Sequence, residues 1–243
     1  MDDPAWLTGF GRRGGTTFEN VCTRTGRCVP RFVLLAAVAC SLTGCSLFVM
    51  AGKMFFGDPL IPSSFRSATE VNLAKDQKRV LFLCSTPMSI KRDMPALEFD
   101  LVEGITRRLK LSGIEVVDAD VVATRIDDNG GAWDDPRDFA DGLGADYIVH
   151  VDLDEFGFQE ENSPSLLRGR ANGSITVYEV THDTGTPRAE EVYTSEYTSV
   201  YPAHHPESAD RMSSKAFRKR YVEKVCRQLS LVFCDHRFSE EMD

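Results

Sequence analysis

The sequence predicts an α/β fold: a compact single-domain sandwich with a mixed sheet of four to five strands and helices mainly on one face, preceded by a signal or anchor segment. Three observations predict it. Short apolar runs of strand length alternate with segments of helical period. One stripe of leucine and isoleucine at every fourth residue marks a helix that can cover a sheet. Two long alternating runs flank a Thr-Gly turn near residue 185 and should pair as a hairpin.

The first strand is the continuous apolar run Val80-Leu-Phe-Leu-Cys84, stopped by Ser85-Thr86-Pro87. A helix follows over 96–112, with Leu97, Leu101, Ile105 and Leu109 on one stripe. Its acids (Glu98, Asp100, Glu103) precede its bases (Arg107, Arg108, Lys110), in the order the helix dipole favours, and Gly113 is a natural stop. Ile114–Val117 is the second strand. Asp118 or Asp120 caps a short helix to about Ile126, and 127–131 form a loop. Asp135-Pro136 reads as a cap and first helical residue, with that helix ending near Gly142. From Asp146 to Asp154 the pattern alternates: Tyr147, Val149, Val151 and Leu153 on a dry face, and Ile148, His150, Asp152 and Asp154 on a wetter one. Residues 157–167 form a polar loop. Arg170–Val180 and Glu190–Tyr201 are the hairpin strands. Ser213–Phe233 is the last helix, burying Phe217, Tyr221, Val225, Leu229 and Val232. The order is β-α-β-(α)-α-β-β-β-α.

The N-terminal segment reads as an export signal. Residues 32–52 carry no charge and follow five arginines, which is a positive region leading into an apolar one. The run ends in Leu42-Thr43-Gly44-Cys45, which resembles the bacterial lipobox. That resemblance implies diacylglyceryl transfer to Cys45, cleavage after Gly44 and acylation of the new amine. An uncleaved helix is the competing reading, since about 20 apolar residues span a bilayer; either way the remainder is exported. Ser46 after the cysteine favours the outer membrane over the inner. The expected organisation is a signal peptide with lipobox over 1–44, an acylated N-terminus and flexible tether over 45–77, the α/β domain over 78–236, and a tail over 237–243.

Composition narrows the function. With 28 basic against 37 acidic residues the formal charge is −9, which argues against a general nucleic-acid partner. The seven cysteines are odd in number and show no CxxC spacing, so no complete disulfide framework is expected. No Walker loop, GxGxxG, GxSxG or HExxH occurs, and no cofactor is expected.

Two segments carry a further resemblance: Leu143-Gly-Ala-Asp-Tyr-Ile-Val-His-Val151, a helix end entering a strand, and Ile175-Thr-Val-Tyr-Glu-Val-Thr-His-Asp-Thr-Gly185, a strand entering the turn. Over about 80–235 the chain resembles a group of bacterial envelope lipoproteins. The group comprises the curli-secretion lipoprotein, the activators of penicillin-binding proteins and the N-terminal domain of the Tol-system propeller protein. The resemblance implies roles in scaffolding, secretion or wall synthesis through protein contacts, and gives no catalytic residue.

Each candidate site competes with a reading as ordinary packing. Cys84 lacks the arginine a cysteine phosphatase loop needs six residues on, where Ile90 stands, so it reads as structural. His150, Asp152 and Asp154 share a strand face and are weak metal candidates, since alternate side chains stand about 6.6 Å apart and need a neighbouring strand to close a site. His204-His205 lies between prolines in a loop. Arg218, Lys219 and Arg220 read as a solvated helix face. The tyrosine row Tyr193, Tyr197 and Tyr201, with Phe156 and Phe158, is the candidate interaction surface, though packing under the last helix competes. The expectation is a lipid-anchored, non-enzymatic envelope protein, facing the periplasm and bound to the membrane by covalent lipid, that acts on an envelope protein partner. The alternative is a membrane-anchored small-ligand-binding or enzymatic domain that uses the 150–154 face and the loops around 84–92 and 157–167, recognisable by a concave pocket with convergent polar groups.

Overall fold

A computed structural model describes residues 60–237, apart from 132, 161, 162, 164, 183 and 184. The expected lipobox residues Leu42, Thr43, Gly44 and Cys45 lie outside the described residues. Among those described, no helix is long and apolar enough to cross a membrane.

The elements in chain order are β1 (Leu60–Ile61), α1 (Ser64–Thr69), β2 (Arg79–Ser85), α2 (Met88–Asp93), α3 (Leu97–Leu111), β3 (Glu115–Val116), α4 (Ala119–Asp128), a 3-10 helix (Pro136–Ala140), β4 (Tyr147–Gly157), β5 (Leu166–Leu167), β6 (Gly169–Thr181), β7 (Arg188–Tyr201), β8 (Glu207–Ser208), α5 (Ser214–Leu231) and β9 (His236–Arg237). The main sheet has five strands in the order β3-β2-β4-β6-β7. β2 runs parallel to β3 and to β4, whereas β4, β6 and β7 are antiparallel. The sheet is therefore mixed, as the sequence predicts.

Both long helices form where the period places them. Leu97, Leu101, Ile105 and Leu109 of α3 are fully buried, as are Phe217, Tyr221, Val225 and Leu229 of α5. They cover one sheet face and meet Val80, Phe82, Val149, Val151 and Val177 in the larger core. The opposite face is only partly covered. Leu81, Leu83, Ile148 and Val180 pack under Val122 of α4 and Phe139 of the 3-10 helix. Ser213 caps α5 by accepting from Ala216 N, and Asp135 caps the 3-10 helix by accepting from Arg137 N. That second segment is tighter and shorter than the α-helix expected.

The tether expectation is corrected over 60–77. Phe65 of α1 is fully buried and Leu73 nearly so, both within the larger core. β1 pairs with β9, so the start of the described chain is bound to its end. Asp235 tightens that join, accepting from Ser63 N (3.1 Å), Arg66 Nη1 (2.5 Å) and Asn72 Nδ2 (3.2 Å). This segment, with Pro62 and few periodic residues, gave no sign of this, because its one large anchor meets partners that are remote in sequence.

β4 alternates as expected up to Leu153 and then breaks step. Leu153 pairs with Gly173 and Glu155 with Asn172, so Asp154 has no partner in register. One extra residue inverts the in-out parity. Phe156, which strict alternation would place beside Asp154 and Asp152 on the wet side, is thereby turned into the larger core.

Candidate functional site

The chain leaves β2 through α3 to reach β3 on one side, then returns through α4 and the 3-10 helix to β4 on the other side. The first crossover packs on the larger core and the second on the smaller one. β2 is thus a switch point, and in such sheets a crevice opens beyond the carboxyl ends of the strands. Here it is a cavity of about 530 Å³. Cys84 and Ser85 form its floor, Phe99 and Val102 of α3 one wall, and Val122 and Ile126 of α4 the other. Met88 and Trp133 stand at the rim. Met88 is 73% exposed and Phe99 40%, so two large apolar side chains stand open at one crevice.

The polar groups in and beside the crevice mostly satisfy one another. Thr86 Oγ1 donates to Glu98 Oε1 (2.9 Å), and Lys91 Nζ pairs with the same oxygen at 3.2 Å. Ser85 Oγ donates to Asp152 Oδ1 at 2.5 Å and lies 2.8 Å from His150 Nε2. Since the hydroxyl proton is given to the carboxylate, Nε2 must carry a proton and donate to Oγ. In a serine hydrolase the imidazole lies between hydroxyl and carboxylate and takes the hydroxyl proton. Here the hydroxyl lies between the other two, so His150 does not activate it. Burial holds the His150 imidazole below its ordinary value, while the Asp152 and Asp135 carboxylates pull it the other way. The Trp133 ring lies edge-on to it at 5.2 Å.

A neutral His150 makes stability depend on pH. The unfolded chain takes up a proton near pH 6.5, whereas the folded chain takes it up only at lower pH. Its contribution is therefore complete above about pH 6.5 and is lost as pH falls through the folded value. Thermal melts from pH 7.5 to 5 are expected to show a falling midpoint that His150→Gln makes shallower, since glutamine can still donate to Ser85. An unchanged slope in the variant would contradict the buried neutral imidazole.

The residues singled out from sequence fare differently, and the metal row is dispersed. The bulge takes Asp154 out of register with His150 and Asp152, and no cluster of three or more metal-ligating side chains exists among the described residues. The aromatic row is not an open surface either. Tyr197 is buried, with its hydroxyl 3.1 Å from Gln228 Oε1. Tyr193 packs edge-on to Phe65 at 5.7 Å, and Tyr201 stacks on Phe217 at 5.9 Å. Phe156 is buried against Tyr221, and the Arg218 guanidinium lies 5.9 Å from the Phe158 ring centre. Alternation correctly grouped the tyrosines on one face, but α5 and α1 cover that face. Burial pushes the Cys84 thiol far up, as befits a structural cysteine.

The alternative reading grouped the loop around 84–92 with the 150–154 face, which takes in Ser85, but sequence reasoning missed Glu98 and Trp133 as neighbours of the same crevice. A signal was present: the apolar run of β2 and the alternating run of β4 both turn polar at their carboxyl ends, and parallel pairing sets Ser85 opposite Asp152. The Gly144-Ala-Asp-Tyr147 segment proves to be structural. Asp146 Oδ2 accepts from Arg79 N at 2.8 Å, and Tyr147 is buried with its hydroxyl donating to Glu179 Oε1 at 2.9 Å.

Fold and crevice together define a mixed α/β domain with an apolar cleft at the switch point of its parallel strands. No family model matches the chain, and no curated protein does. Solved structures similar to it include bacterial lipoproteins. Lipoprotein GNA1162 from Neisseria meningitidis is 14% identical, with 63% of this chain and 98% of that one covered and a TM-score of 0.38. A minor lipoprotein from Acinetobacter baumannii is 10% identical, with 64% and 91% covered and a TM-score of 0.27. PelC from Paraburkholderia phytofirmans, a dodecamer, is 11% identical, with 72% and 96% covered and a TM-score of 0.39.

Proposed function

We propose that the chain is a lipid-anchored protein of the bacterial cell envelope, acylated at Cys45, facing the periplasm from the outer membrane, and acting by binding and not by catalysis. The crevice beyond β2 carries this reading. Apart from the exposed Asp127, its polar groups are largely satisfied by one another, so what remains for recognition is mainly apolar: Met88 and Phe99 at the mouth, Val102, Val122 and Ile126 within. That chemistry suits an apolar segment of another envelope protein, with side chains inserted between α3 and α4. The lipobox over 42–45 and the lipoprotein-like segments at 143–151 and 175–185 support the envelope setting.

The test is a photoreactive benzoylphenylalanine at position 88, in the full chain expressed in a bacterium that acylates lipoproteins. Position 200, an exposed valine on β7, serves as the control. A discrete protein adduct from 88, absent from 200 and weakened by Ala123→Trp, which fills the crevice, is the expected result. An adduct to a small molecule would replace the partner protein with a ligand. No adduct would overturn binding at the crevice, and an unmodified full-length mass would overturn the anchor.

A further inference from the structure

A second concavity lies between α3 and α5, away from the crevice. The two helices come close at Gly104, where a Cβ would stand 2.6 Å from Cys226 Sγ. Beside that contact runs a groove of about 390 Å³, with Gly104, Val222 and Cys226 among its lining. Five cations also line it: Arg107, Arg108, Lys215, Arg218 and Lys219, against the acids Asp100 and Glu223. α5 as a whole carries six basic residues and a single acidic one, Glu223, on a chain whose net charge is −9. The cations are therefore segregated and do not reflect composition.

They are also largely unneutralised. Arg108 reaches Glu223 only at 3.7 Å, and its Nε is buried without a hydrogen-bond acceptor. Among the described residues Arg107, Lys215 and Lys219 make no ion pair. A groove that combines apolar lining with guanidinium and ammonium groups fits a ligand that is itself amphiphilic and anionic. Arginine forks match phosphate oxygens in pairs, lysines add point charge, and apolar lining accepts the glycerol and first methylenes. We propose that this groove binds the phosphate-bearing headgroup of an anionic lipid. This rests on the envelope reading only for the source of the ligand, because the groove itself needs neither Cys45 nor the crevice. Engagement would turn the α3–α5 face toward the membrane surface.

The experiment titrates short-chain phosphatidylglycerol into the purified full chain in nonionic detergent and follows acetylation of individual lysines by mass spectrometry. Lys215 and Lys219 are expected to become protected, while Lys75, exposed in the loop before β2, keeps its rate. Arg107→Gln or Arg218→Gln should each raise the midpoint about fivefold, the share of one basic residue at an anionic lipid surface. Short-chain phosphatidylcholine is expected to protect neither lysine. Equal protection by inorganic phosphate would move the source to a free phosphate and overturn the lipid assignment. Absence of protection, or protection by phosphatidylcholine alike, would overturn the site. The intact mass of the same sample reports acylation at Cys45, so failure of the anchor is read separately from failure of the groove.

Discussion

Replacing Gly173 by alanine is expected to destabilise the domain by about 3 kcal/mol or more, a large part of the roughly 5–15 kcal/mol that holds a domain of this kind together. Gly173 lies in β6 opposite Leu153, where β4 carries its extra residue. A Cβ there would stand 2.0 Å from the Asp152 carbonyl oxygen and 2.8 Å from Leu153 Cα. Those are backbone atoms, so no rotamer change relieves the clash and the two central strands must part. The damage would spread, because the bulge sets the parity that turns Phe156 into the core against Tyr221. Gly157 offers a matched control: a Cβ there meets nothing within 4 Å, and Gly157→Ala should stay within about 0.5 kcal/mol of wild type. Urea unfolding of the three proteins checks this. A Gly173→Ala midpoint equal to wild type would mean that β4 and β6 pair without the bulge.

Phe65→Ala is expected to cost about 3–5 kcal/mol, the range for deleting a fully buried phenylalanine. The ring meets Tyr147 and Tyr193 at 5.7 Å and Phe233 at 5.8 Å, so the cavity would be bounded by two strands and the turn after α5, all fixed elsewhere, and could not collapse easily. Leu60→Ala, at a position 64% exposed, should be nearly silent. The comparison decides where the domain begins. Were residues 60–77 a tether, both substitutions would be silent, and a chain beginning at residue 78 would be as stable as the longer one. The packing instead makes α1 and its join to β9 part of the folded unit, so such a truncation should unfold at markedly lower urea.

Much of the architecture was legible because it rests on local period. The stripe of α3, the alternation of β4 to Leu153, the hairpin of β6 and β7 and the buried face of α5 each express contacts with one neighbouring layer, and burial on one face imposes a period of about 3.6 or 2 on the residues. The five-strand mixed sheet follows from their order. The elements that escaped are short. α1 and α2 are six-residue helices, and the β1–β9 and β5–β8 pairs have two residues per strand. None is long enough to show a period, and each is held by partners distant in the chain.

The candidate sites show the same division. Sequence correctly placed Tyr193, Tyr197 and Tyr201 on one face and His150 with Asp152 on another. It could not say that α5 and α1 cover the first, or that Ser85 from a parallel neighbour inserts its hydroxyl between the members of the second. The bulge at Asp154, which dissolved the metal row, depends on Gly173, which lies on the next long strand. The cationic groove is likewise a product of two helices, α3 and α5, that lie far apart in the chain, and the crevice needs β2 between α3 and α4. What the sequence determined by itself was therefore the class of fold and the strand and helix faces, and it displayed a lipobox-like motif at 42–45, all of which depend on the nearest few residues. What only the tertiary structure decided was which faces remain open, where the domain starts and which polar groups meet. Those outcomes depend on pairings between segments far apart in the chain, and no local pattern encodes them.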